Sequence, residues 1–171
     1  MRNLMKLFTL LVLVGVTATA GAQDLKFGHI DLQELVRVMP EYSAAQTEMN
    51  NFQAELEEVF GEMQQNYQQK LTELEQMGEE VSEVKRNAKV TELQDIQQRM
   101  QNYQQTAQQQ IQQKQAEELQ PVFDKAENAI AKVAKEQGLA YVFDSGAGVV
   151  LYKSNQSVDL LPLVKQELEV E

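Results

Sequence analysis

Cysteine and tryptophan are absent from this 171-residue chain, histidine occurs once and proline only three times. Zero cysteine removes thiol catalysis, iron–sulfur ligation, thiolate zinc sites and disulfide cross-links together. One histidine cannot build a multi-histidine metal centre. Basic residues are scarce as well: 15 Lys and Arg face 26 Asp and Glu, a formal charge of −11 with a pI near 4.6. Phosphate backbones require a basic surface, so nucleic acid is excluded as the main partner.

Only one long apolar run is present. Residues 1–22 join a basic start (Arg2, Lys6), the stretch Leu7 to Val16, and a small-residue exit ending Ala20-Gly-Ala22. This is the layout of a secretory signal peptide, and the run falls short of the roughly 20 apolar residues that span a bilayer. Cleavage after Ala22 would make Gln23 the mature start, with no cysteine placed for a lipid anchor. The sequence therefore predicts a soluble, exported protein with 13 basic and 26 acidic residues. The imbalance is local, because residues 23–81 hold 3 basic and 13 acidic side chains whereas 82–138 hold 8 of each.

Between Tyr42 and Leu119 there is no proline, glycine occurs only at Gly61 and Gly78, and 20 of the 80 residues from 41 to 120 are Gln. Apolar positions recur from Tyr42 through Leu56 to Val84 at a mean spacing of 3.5, the coiled-coil period. A second series runs from Leu93 through Ile96 and Ile111 to Leu119 at about 3.7, nearer a straight helix. Two stripes with a break between them predict an antiparallel helical hairpin over 41–120, turning near 78–82 with Ser82 as the N-cap of the returning helix. Each arm would be about 55 Å long at 1.5 Å per residue. Pro121 is expected to kink or restart the helix where the hairpin rejoins the rest. The returning arm offers few apolar residues from Gln104 to Glu118, so the pair should be mobile along its length.

The chain ends, 24–40 and 121–171, read as one small α+β body. Leu25 to Ile30 suits a strand, Asp31 caps a short helix that Pro40 ends, and a helix after Pro121 stops at Gly138. Leu139 to Phe143 and Val149 to Lys153 are expected to pair as a β-hairpin about Asp144-Ser-Gly-Ala-Gly148. A last helix starts at Asp159, with Pro162 in its first turn. His29 reads as a strand residue without clustered partners. So small a body is marginal alone; lacking disulfide and metal, it points to self-association through the short sheet. Phe27, Ile30, Val142, Phe143, Val150 and Leu151 are the candidate contacts.

No catalytic constellation emerges. Ser82-Glu-Val-Lys85 and Gly146-Ala-Gly148 imitate pieces of acyl-enzyme and dinucleotide motifs, but the accompanying motifs and elements are missing. The chain is expected not to be an enzyme, and no cofactor or metal is assigned.

The order of parts is nevertheless distinctive. A signal peptide leads into Lys26-Phe-Gly-His-Ile-Asp-Leu-Gln-Glu-Leu-Val-Arg-Val-Met-Pro-Glu41. After the Gln/Glu-rich hairpin comes Gln120-Pro-Val-Phe-Asp-Lys-Ala-Glu-Asn-Ala-Ile-Ala-Lys-Val-Ala-Lys-Glu-Gln-Gly138. Tyr141-Val-Phe-Asp144, Val150-Leu-Tyr152 and Val158-Asp-Leu160 follow. This resembles the Skp/OmpH family of periplasmic chaperones over essentially the whole mature chain. The resemblance implies a periplasmic homotrimer whose β-rich bodies join while three helical arms enclose a cavity. Unfolded outer-membrane proteins would be held there without ATP. The best-known relatives have basic arms, whereas this outgoing arm is acidic, which argues against membrane-surface contact. Asp159-Leu-Leu161 stands where relatives often carry Asp-Ile-Thr. The alternative is a structural coiled-coil adaptor of the envelope that binds one folded partner.

A holdase needs adaptable apolar surface, and methionine and aromatic side chains supply it. The candidate client contacts are Met49, Phe52, Phe60, Met63, Tyr67, Met77, Met100 and Tyr103, although such positions ordinarily face the partner helix. Phe60, beside Val59 and partly off the stripe, should face outward most. Lys85, Arg86 and Lys89 form a basic cluster near the arm tip, read either as a solvated turn or as a contact for acidic clients or anionic lipid.

Overall fold

Strand β1 (Lys26–Ile30) passes directly into helix α1 (Leu32–Val38) because the Asp31 carboxylate accepts the Glu34 backbone N–H at 2.9 Å. That satisfies one of the donors a helix start leaves free. Met39 is extended, as a residue before proline prefers to be. Pro40 then opens the 36-residue helix α2 (Pro40–Glu75), where a missing N–H costs nothing. The computed structural model describes residues 25–171, so the signal segment expected at 1–22 and the mature start at Gln23 lie outside the described residues. After the turn, helix α3 (Glu83–Glu136) runs 54 residues and ends before Gly138, whose φ of 65° suits a residue without a Cβ. Strand β2 (Leu139–Asp144), strand β3 (Val158–Asp159) and helix α4 (Leu161–Glu167) complete the chain. Ser82 does precede α3, but its side chain makes no cap bond.

The helix does not restart at Pro121, because α3 continues through it. Pro121 is exposed, so the Glu117 carbonyl deprived of its partner can be hydrated. Immediately beyond it, Val122, Ala126, Ala129 and Val133 bury one face of the same helix. The β-hairpin at 139–153 is also absent, and residues 149–153 form no strand. The Asp144 carboxylate turns inward, accepting the N–H of Gly146 at 2.8 Å and that of Leu32 at 3.4 Å, while Ser145 donates its N–H to the Ile30 carbonyl at 2.8 Å. The chain then crosses over to place β3 on the far side of β1.

The sheet order is therefore β2–β1–β3, with both pairings parallel. Gly28 and Ile30 point to one face, and α1, the last third of α3, and α4 cover it. The core joins Ile30, Leu35, Val36 and Met39 from the first segment to Val122, Ala126, Ala129 and Val133 from α3 and to Leu160 and Val164 from the end. Phe27, His29, Tyr141 and Phe143 share the other face, where the three aromatic rings lie 6.2–6.3 Å apart.

His29 does have partners that sequence spacing could not show. The Lys153 ammonium, which can only donate, lies 2.9 Å from Nε2, so Nδ1 carries the proton and donates to Ser157 Oγ at 2.9 Å. These two bonds pin the crossover segment over β1 and leave His29 buried.

Gly28 is the tightest point of this core. A Cβ there would lie 2.4 Å from Leu160 Cδ1 and 2.7 Å from Leu139 Cδ1. Leu160 is fully buried and has nowhere to move. Gly28→Ala should therefore destabilise the fold by about 1–3 kcal/mol, the usual range for overpacking, as a lowered denaturation midpoint at fixed protein concentration.

Candidate functional site

The α2/α3 arm holds every candidate client contact, and it is unevenly buried. Ala45, near the base, is the one buried residue of α2, and only Leu93 and Ile96 are buried in α3 before Val122. Met49, Phe52, Phe60, Met63, Tyr67, Met77, Met100 and Tyr103 are all half-buried. They form neither a closed seam nor a free outer face. Each is partly covered and still shows part of its surface to water.

At mid-arm, Phe60 stacks on Tyr103 with ring centroids 6.3 Å apart and planes 11° apart, and the Tyr103 hydroxyl donates to the Leu56 carbonyl at 3.1 Å. Phe60 thus lies in the seam, and its neighbour Val59 is the more exposed of the two. The expectation that Phe60 faces outward most is corrected. A 3.5-residue step drifts around a 3.6-residue helix, so one misplaced stripe position exchanges neighbouring residues. An open groove of about 450 Å³ runs past the pair, lined by Leu56, Phe60, Tyr103, Ala107 and Ile111 with glutamines and Glu57 at its rim.

The tip is closed differently. Arg86 donates to the carbonyls of Met77 (3.4 Å) and Gly78 (3.2 Å), covering the exposed end of α2. Lys89 bridges Glu73 on the facing helix (2.7 Å) and Glu92 on its own (2.9 Å), and Lys70 adds contacts to both. Bonding to Lys89, and then to Lys70, holds the Glu73 carboxyl below its ordinary range; Lys89 does the same to Glu92. The two carboxylates in turn raise the Lys89 ammonium above its ordinary value, Glu73 most. Of the basic cluster read from sequence, Arg86 and Lys89 are therefore engaged within the arm and only Lys85 is exposed. An external contact for this cluster as a unit is corrected accordingly. At the base, Lys125 on α3 pairs with Glu41 on α2, bonding that lowers the Glu41 carboxyl.

The candidate oligomerisation residues divide. Ile30 is 2% exposed and belongs to the chain's own core, and Val142 lies against that core, so neither is free to meet another chain. Phe27 and Phe143 lie on the open aromatic face, Val150 is half-buried, and Leu151 is 98% exposed. Tyr141, 64% exposed between the two phenylalanines, was not selected from the sequence. Strand alternation places it on the face of Phe143. Leu56 and Ile111 were passed over as ordinary seam residues, and the groove they line was not legible.

Among the described residues no cluster of His, Asp and Glu could hold a metal ion, and no helix is long and apolar enough to cross a membrane. Residues 26–168 match the family described as Outer membrane protein (OmpH-like). The fold is similar to the crystal structure of an OmpH-like protein described as an outer membrane chaperone, from Caulobacter crescentus. The TM-score is 0.71 at 12% identity, covering 85% of this chain and 84% of the other. No curated protein matches the chain.

The tip network makes a pH- and salt-dependent contribution whose sign is set by these shifts. The lowered Glu73 and Glu92 stabilise the folded arm fully above the ordinary carboxylate value of 4.5, and that stabilisation is lost as pH falls through their folded values. The raised Lys89 contributes below its ordinary 10.5 and loses its effect above it. Amide protection factors at residues 70–92, taken relative to the intrinsic exchange rate at each pH, should fall as the pH is lowered below 4.5 through the folded values of these carboxyls and, because the groups are exposed, also in about 0.5 M salt. Exchange around Leu35 and Val164 should be unaffected by the salt.

Proposed function

The chain belongs to the OmpH-like family, and from that premise we propose that the mature protein is an ATP-independent periplasmic holdase. It would act as a homotrimer whose arms enclose unfolded outer-membrane proteins and keep them from aggregating. The observation that carries this reading is the half-buried arm. Eight methionine and aromatic side chains are spread along two helices that bury almost nothing between Ala45 and Leu93. Such surface can repack around varied apolar segments, while glutamine keeps the helices stable and soluble. Many weak contacts from several arms sum to useful avidity without fixed geometry. Release follows when the client buries its own apolar surface in the membrane, so no nucleotide is required.

Self-association is supported by the open sheet face. Phe27, Tyr141 and Phe143 stack there with no helix over them, and Leu151 and Tyr152 stand exposed in the adjoining crossover. Contiguous apolar surface of this kind on a soluble chain marks an interface. Pairing the bodies through it would leave the arms free.

At stoichiometric amounts and without nucleotide, the purified protein should keep a denatured β-barrel protein from aggregating. Failure in that assay, with retention of one folded partner in a pull-down, would instead identify an envelope adaptor. Phe60→Glu combined with Met63→Glu should weaken client capture several-fold while light scattering gives an unchanged assembly mass. Tyr141→Glu should lower the assembly mass. Loss of assembly in the arm variant would mean that Phe60 and Met63 are structural.

A further inference from the structure

We propose that His29, Lys153 and Ser157 form an acid-sensitive latch: a proton taken up by His29 expels the Lys153 ammonium and frees the crossover segment 147–153 from the open face of the sheet. The latch is independent of client binding. Among the described residues, a single hydrogen bond ties 147–153 to any other part of the chain, the 2.9 Å bond from Lys153 Nζ to His29 Nε2. The segment forms no strand, and Val150 is its only half-buried member; the rest are exposed. Its apolar residues Val149, Leu151 and Tyr152 stand in water beside the stacked rings of Phe27, Tyr141 and Phe143. One contact therefore decides whether this stretch stays on the sheet.

The contact tolerates one protonation state. Nδ1 donates to Ser157 Oγ at 2.9 Å, so Nε2 is the ring's acceptor, and an ammonium already fills it. A second proton can go only to Nε2. It would set two donors and two positive charges 2.9 Å apart around a buried ring, with no acceptor between them. The closed form thus holds one proton fewer than the separated groups hold in acid. It is favoured as pH rises and lost as pH falls through the histidine range. The Ser157 bond survives, because Nδ1 remains a donor, so the release stops short of β3. The other groups facing His29 are Phe143 on β2 and Asp159 on β3, its partners in register, with Tyr141 on the same face. The Asp159 carboxylate accepts the Leu161 N–H at 3.1 Å and pairs with neither His29 nor Lys153 among the described residues. Tyr141 carries no charge between about pH 5 and 8. No anion is therefore placed to hold the second proton on the ring.

Because the chain has no cysteine, Val149→Cys gives the full mature protein one attachment point for a nitroxide spin label, exposed and within the freed segment. Histidine ordinarily takes up its proton near pH 6.5, and one charge-assisted hydrogen bond favours the closed form by roughly tenfold. The mobile fraction of the label should therefore rise from about a tenth at pH 7.5 to about a half at pH 5.5. The ring signals of the single histidine should titrate over the same range. Lys153→Met should leave the label mobile at both pH values. His29→Gln, whose amide keeps an acceptor for Lys153 but takes no proton, should abolish the pH response. Lys153 is exposed, so its variant tests the latch even if His29→Gln does not fold. Unchanged mobility between pH 7.5 and 5.5, a response that persists in His29→Gln, or a label that stays immobile in Lys153→Met at pH 7.5 would each overturn the proposal while leaving the holdase reading standing.

Discussion

Everything outside the small body depends on one clamp, the burial of the last third of α3 between the first and last segments of the chain. Val122, Ala126, Ala129 and Val133 meet Leu35, Val36 and Met39 on one side and Leu160 and Val164 on the other. Fully burying a Val or Leu side chain stabilises by roughly 1.5–3 kcal/mol, and nearly all such burial in the subunit is concentrated here. A 54-residue helix is therefore rooted in the body at one end only. The remaining length of α3, with α2 beside it, is rooted in the body and free of it.

The arm is fastened at its two ends and left loose between them. At the base, Ala45 is buried and Lys125 pairs with Glu41; at the tip, Leu93 and Ile96 are buried close to the Lys70–Glu73–Lys89–Glu92 cluster. The middle third relies on the Phe60–Tyr103 stack, one tyrosine hydroxyl bond and half-buried methionines. Apolar surface left partly wet has a lower cost of opening than a closed core. That softness is what distinguishes this arm from a coiled-coil spacer, whose a and d residues are covered throughout.

The parallel sheet follows from the same clamp. Because α3 returns the chain to the start of β1, β2 enters alongside β1 in the same direction, and the crossover over His29 brings β3 to the other edge. One face of the three strands is spent on the core, and the stacked aromatics of the other stay open. The body built this way has a closed core and one uncovered sheet face.

Periodicity and punctuation were enough to read the long helices, the Asp31 cap and the stop at Gly138, because each rests on contacts within a few residues; the strand before Asp31 was legible from its residue types, although its ladder partners lie at 139–144 and 158–159. The failures had the opposite character. The helix runs through Pro121 into a stretch, Val122 to Val133, that distant side chains bury, and the chain after Asp144 leaves the hairpin path where Ser145 donates its N–H to the Ile30 carbonyl, over a hundred positions away. Ile30 and Phe27 are near neighbours in one strand, yet one is core and the other open face, and only the helices packed beneath the sheet decide which. At mid-arm the sequence identified the right residue types, but which rim of the seam each occupies depends on how two helices rotate against one another. Local bonding determined the elements; the partners that cover each apolar side chain, set by tertiary contacts alone, determined the sites.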